Sequence, residues 1–244
     1  MRAIWNHILS TGGSDPRFGP DERPLSVVRS RAARRMRLSV DPRTGTIRLT
    51  LPPRAPLRSA IAWAEEHRPW IEGQLGKLPQ SAPLVPGGTV RLGDDILTID
   101  WAEGRPRSVR REGDRLIAGG PHDALNGRLL RWLQKQALET LSAETGHYAM
   151  RAGVTVGRVG IGDPRSRWGS CAASGDIRYS WRLIMTPVFV RRATVAHEVA
   201  HRVHMNHGPK FHALVAELFE ADPTPARAWL KAHGAALHWV GRGS

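Results

Sequence analysis

Residues 186–209 read TPVFVRRATVAHEVAHRVHMNHGP. Thr186 suits an N-cap and Pro187 the first position of the helix that follows it. Val188, Val195, Val199 and Val203 recur at near-helical spacing, an apolar stripe that seats the helix on a core. Arg191, Arg192 and Arg202 suit the solvent side. On that helix His197 and His201, four residues apart, project from one face. Their spacing matches a tetrahedral Zn²⁺ ion, which takes neutral imidazole nitrogens at about 2.0–2.1 Å and keeps one position open. Glu198 lies too close in sequence to His197 to share its ligand role, but it is placed to take a proton from an attacking water. The stretch therefore points to one catalytic zinc ion, with Glu198 as general base of a hydrolysis.

A third ligand is required, and several residues compete for it. His204 lies about 10 Å along the axis from His197 at 1.5 Å per residue, too far for one ion to take all three comfortably. His207 serves only if the chain turns back after His201. Asn206 tolerates a left-handed conformation, Gly208 is sterically free and Pro209 discourages continuation of the helix, so the turn is encoded. His207 is the choice, and Glu217 and Glu220 on the next predicted helix are its rivals. His204 then reads as a neighbour of the ligands or a surface residue, and His212 as a contact to substrate. The spacing His-Glu-x-x-His-x5-His matches the metzincin proteases, but their glycine is replaced by His204 and no methionine follows Met205 to make their turn.

With Arg167-Trp168-Gly169-Ser170-Cys171, residues 177–184 (IRYSWRLI), the two helix histidines, Asn206-His207-Gly208, Phe211, Asp222-Pro223 and Trp229-Leu230-Lys231, the chain resembles the YgjP-like metallopeptidase family of small zincins. Residues 34–38 and 48–52 resemble the family's opening hairpin. The resemblance implies a zincin-like α+β fold, His197, His201 and His207 as ligands, Glu198 as catalytic base and a peptide or protein substrate. His212 and Ser180 depart from the family's usual tryptophan and asparagine.

The 244 residues are 41% hydrophobic and carry a net charge of +14. That length buries a substantial core. No run approaches the ~20 apolar residues of a membrane helix, and the N-terminus lacks a signal-peptide core. One cysteine excludes an internal disulfide framework and fits a cytoplasmic setting. The positive charge is nearly all arginine and is spread along the chain, so solvated faces explain it more simply than a nucleic-acid footprint.

Organisation follows from punctuation and periodicity. Residues 1–24 read as a loose tail, 25–120 as a β-rich N-terminal lobe with one helix, and 121–241 as the zincin-like lobe, with Gly119-Gly120-Pro121 as the boundary. In the first lobe, residues 27–40 and 46–51 form a hairpin around Asp41–Gly45, 56–78 a helix interrupted at Pro69, and 89–101 and 107–118 further strands. In the second, 122–152 is a long helix, 154–161 and 167–184 are strands, and 208–220 and 223–236 close the fold. The segment 168–171 is the candidate lining of a substrate cleft, a role it shares with plain hairpin packing. Tyr148, Tyr179, an arginine or His212 would stabilise the oxyanion. Cys171 reads as a small buried residue. Two other enzymatic readings keep the metal: a nucleotide pyrophosphatase, against which no Walker-type glycine loop appears, and a DNA-associated repair protease of SprT or WSS type. A structural zinc site, usually closed by four protein ligands, leaves Glu198 without a purpose.

Overall fold

A computed structural model describes residues 17–18 and 23–242, so the expected tail lies largely outside the described residues. The fold is α+β, as expected, and divides into two compact units, Met1–Gln80 and Ser81–Ser244.

In the first unit, β1 (Arg17–Phe18), β2 (Arg23–Arg29), β3 (Arg37–Val40) and β4 (Ile47–Leu51) form one sheet in the order β1-β2-β4-β3. The predicted hairpin is present as β3 and β4, closed by Gly45 at φ 71°. The stretch 27–40 is not one strand, because a turn at Ser30–Ala33 lets β2 run parallel to β4. The expected helix breaks at His67 into α1 (Leu57–Glu66) and α2 (Arg68–Leu75), with Pro69 in the first turn of α2, where its missing N–H costs nothing. Leu25, Ile47, Leu49, Leu51, Ala60, Ala64 and Ile71 make this unit's own core.

The second unit begins with a sheet of the same plan. β5 (Thr89–Leu92), β6 (Asp95–Trp101), β7 (Arg110–Glu112) and β8 (Arg115–Ala118) pair in the order β5-β6-β8-β7, and β6 is parallel to β8 as β2 is to β4. The sequence places this sheet in the N-terminal lobe, with a boundary at residues 119–121. The structure puts the division 40 residues earlier, because Val90, Leu97, Ile99, Leu116 and Ala118 share a core with the long helix α3 (Leu125–Arg151) through Leu125, Leu129 and Leu133.

A third sheet, β10-β11-β9, packs with α3: β9 (Val159–Gly162), β10 (Gly169–Cys171) and β11 (Ile177–Ser180). Residues 181–184, expected to extend the strand, lie with Met185 in a buried 3₁₀ turn instead, with Ser180 Oγ accepting from the Arg182 amide. Tyr179 is fully buried, and its hydroxyl lies 3.0 Å from Thr145 Oγ1, which itself donates to the Leu141 carbonyl. Tyr179→Phe is expected to cost about 1 kcal/mol, the net value of one buried hydrogen bond. Chemical denaturation reads it, and a variant as stable as wild type would show the bond to be worthless.

Candidate metal centre and cleft

Helix α4 (Val188–Ala200) carries the two histidines. Its start is not capped by Thr186, whose hydroxyl donates to the Leu183 carbonyl. Asp94, in the turn between β5 and β6, accepts from the Val188 amide at 3.1 Å instead. The same turn is tied to the 3₁₀ segment by the Gly93 amide, 2.8 Å from the Ile184 carbonyl. Arg191 does not face solvent as expected. Its guanidinium is buried and forms a bidentate pair with Glu144 of α3 at 2.9–3.1 Å, which locks α4 onto α3.

The apolar stripe suggests a helix reaching Val203, but α4 ends at Ala200 and Val203 is exposed. His201 is the C-cap residue, and the amides of Arg202, Val203 and His204 turn back onto the carbonyls of Val199 and Ala200 at 2.8–3.0 Å. The reversal uses no left-handed residue, since Asn206 and Gly208 both have negative φ. Pro209 then opens α5 (Pro209–Phe219).

This reversal returns His207 to the helix face. Nitrogens of His197, His201 and His207 lie within 4.8 Å of one another, and Nε2 of His207 is 3.2 Å from Nε2 of His197. Ligand atoms on arms of 2.0–2.1 Å at tetrahedral angles stand about 3.3 Å apart, so the trio fits a single cation. Nδ1 of His201 is 3.2 Å from the His204 carbonyl, which can only accept, so Nδ1 holds the proton and Nε2 keeps its lone pair. Burial, reinforced by the neighbouring imidazoles and Arg227, pushes His197 down to about 4, and His201 is also lowered by burial. Both rings are therefore neutral at pH 7, the form that ligates.

Phe211 of α5 packs beneath all three imidazoles, with ring centroids 4.6–4.9 Å away, and is itself fully buried. Local spacing on α5 marks it as a core residue but says nothing of this contact. Glu198 is 6% exposed, and burial pushes its carboxyl up to about 7 against a smaller opposing pull from Arg167. The rival ligands stay away. Glu217 is not in the cluster, and Glu220 pairs with Arg151 at 2.8 Å.

A cavity of about 250 Å³ opens beside His197 and Glu198. Arg167, Trp168 and Gly169 line it, whereas Ser170 and Cys171, the rest of the predicted segment, do not. That segment serves as a packed hairpin as well, since β10 pairs with β11 in register Gly169↔Tyr179. Neither tyrosine lines the cavity, but His212, Arg167 and Arg227 do. Cys171 is half-buried, and burial raises its thiol.

The family model described as YgjP-like, metallopeptidase domain, matches residues 34–233. The chain belongs to the YgjP-like metallopeptidase family. No curated protein and no solved structure matches it. YgjP-like proteins are thus metallopeptidases by family, so a metal ion and a peptide or protein substrate are implied for this chain. The three-histidine cluster lies inside the matched region. Among the described residues no helix is long and apolar enough to cross a membrane.

Proposed function

We propose that this YgjP-like chain is a zinc-dependent peptidase in which His197, His201 and His207 hold one Zn²⁺ ion and Glu198 is the general base. The reading rests chiefly on the 3.2 Å approach of the His197 and His207 Nε2 atoms beside a buried carboxyl. When bound, zinc would polarise the scissile carbonyl and bring the pKa of a water toward neutrality.

The chain's own groups supply the rest. The Glu198 carboxylate accepts a proton from the attacking water and later delivers it to the leaving amine. Burial, which pushes this carboxyl up to about 7, strengthens it as a proton acceptor. Strand β10 is an edge strand of its sheet, and an extended peptide can add to that edge with its scissile bond near Glu198. Arg167 and His212, both at the cavity, are the candidate donors to the developing oxyanion. The single cysteine is in keeping with a cytoplasmic setting.

Elemental analysis tests the metal site. Wild type is expected to hold one zinc per chain, and chelation is expected to abolish hydrolysis of unfolded casein until zinc is restored. His207→Ala is expected to weaken zinc by about a hundredfold or more, since even the outer partners of ligands are worth about 10–100-fold. Full zinc occupancy in His207→Ala at wild-type affinity would remove the proposed ligand set.

A further inference from the structure

The cavity beside Glu198 combines apolar walls with two cations. Its walls are apolar: Trp168, Ala193, Val215, Ala226 and Leu230 contribute, and Ala193, Val215 and Ala226 are buried. Trp168 is pressed against helix α6 (Thr224–Leu237) so closely that a Cβ on Gly234 would lie 2.6 Å from its ring. Two guanidinium groups, Arg167 from the loop before β10 and Arg227 from the first turn of α6, stand at the same cavity.

Neither guanidinium makes an ion pair or hydrogen bond among the described residues. This sets them apart from Arg111, Arg115, Arg151, Arg182 and Arg191, each of which pairs with a carboxylate. Asp222, on which the charge of Arg227 acts weakly, turns its carboxylate to the Thr224 amide, from which it accepts at 2.9 Å. Arg167 acts on the buried Glu198 carboxyl only through space and makes no direct bond to it. The first turn of α6 adds the positive end of a helix dipole to the same side. A volume of about 250 Å³ accommodates one side chain with its flanking backbone, not a folded segment.

We infer that this cavity is a specificity subsite for a peptide residue beside the scissile bond that carries a carboxylate on an apolar stem, with Arg167 and Arg227 receiving the carboxylate. A glutamate side chain has this form, and so does a residue at a free C-terminus. The inference deepens the peptidase reading and rests on it. The methylenes replace water on the Trp168 and Leu230 walls while the anion meets two guanidinium groups that no carboxylate holds in a direct ion pair. Each charge-assisted hydrogen bond of this kind is worth enough for about a tenfold preference.

The test separates binding from cleavage. Capped pentapeptides that differ only in a central Glu, Gln, Leu or Lys are titrated calorimetrically into zinc-loaded Glu198→Gln protein, and a peptide with a free C-terminal carboxylate is compared with its amide. A carboxylate is expected to bind about tenfold more tightly than its neutral counterpart. Arg167→Gln and Arg227→Gln are expected to erase the preference, and Arg227→Glu to turn it toward lysine. Both positions are exposed, so these variants keep the fold, which circular dichroism checks. The two peptide pairs decide which source supplies the carboxylate. Equal affinities, a preference unchanged in all three arginine variants, or binding of ATP with no binding of any peptide would overturn the inference. Casein cleavage by wild type is measured in parallel. Acid-selective binding without cleavage sinks the peptidase reading alone, and cleavage without acid selectivity sinks the subsite alone.

Discussion

Zinc-replete Glu198→Gln protein is expected to hydrolyse unfolded casein about 10²–10⁴ times more slowly than wild type, the range lost with a positioned general base. The amide keeps the shape of the side chain and relieves the cost of a buried charge, so folding and zinc content are expected to stay intact. Gly169→Ala should strike the same group from the other side. A Cβ there would lie 2.5 Å from Glu198 Oε1 and 2.6–2.7 Å from its Cγ and Cδ. The carboxyl is hemmed in by α4 and β10, so the added methyl displaces it by an ångström or so. Displacement on that scale costs about a hundredfold in rate. A wild-type rate in Glu198→Gln at full zinc occupancy would remove the base. A wild-type rate in Gly169→Ala would show that the carboxylate works from elsewhere.

The second large effect concerns stability. Arg182, in the 3₁₀ segment, has a side chain only 7% exposed and holds Asp163 through both carboxylate oxygens at 2.7 and 2.9 Å. The same guanidinium donates to the carbonyls of Leu237 and Val240 and stacks over the Trp181 ring at 4.5 Å. One side chain thus joins the loop after β9, the 3₁₀ turn and the end of α6. Arg182→Met leaves two carbonyls and a carboxylate to find other partners. Asp163 is nearly half exposed and water recovers part of its loss, so about 3 kcal/mol is expected, or about 10 °C in Tm.

Acid titration adds a check on sign. Burial opposes the charged form of Asp163, but the hydrogen bonds and charge of Arg182, helped by His238, outweigh it and hold the carboxyl below its ordinary value. The pair's contribution is therefore fully present above the ordinary carboxylate range and is lost as pH falls through the depressed folded value. Arg182→Met should lose less stability than wild type over that acid window. Equal losses would mean that the pair does not couple folding to Asp163 ionisation.

What could be read from the chain was local. The shared face of His197 and His201 follows from helical periodicity, and Pro209 marks only the start of the next helix. Val203 continues the apolar stripe, so periodicity carries the helix past its observed end. Hydrogen bonds of the turn, which periodicity does not register, stop α4 three residues earlier. Charge alone sends Arg191 to solvent, whereas its partner Glu144 lies 47 residues away on another helix. Phe211 beneath the imidazoles, Gly169 against Glu198 and Asp94 at the helix start are likewise contacts between elements. Periodicity within one element registers none of them. The compact units divide elsewhere for the same reason: the glycines at 119 and 120 mark a real turn, but the apolar faces of β5, β6 and β8 pack with α3.

The turn at Gly93-Asp94 has a consequence for anyone diversifying this enzyme. Gly93 sits at φ 63°, and a Cβ there would lie 3.2 Å from Val188 Cγ2, while Asp94 closes the first turn of α4. In a deep mutational library selected for turnover, this pair would register as sharply intolerant although more than 90 residues separate it from the histidines and it lies outside the cleft. Such depletion would report the anchoring of a helix, and reading it as contact with substrate would send a redesign effort to the wrong hairpin.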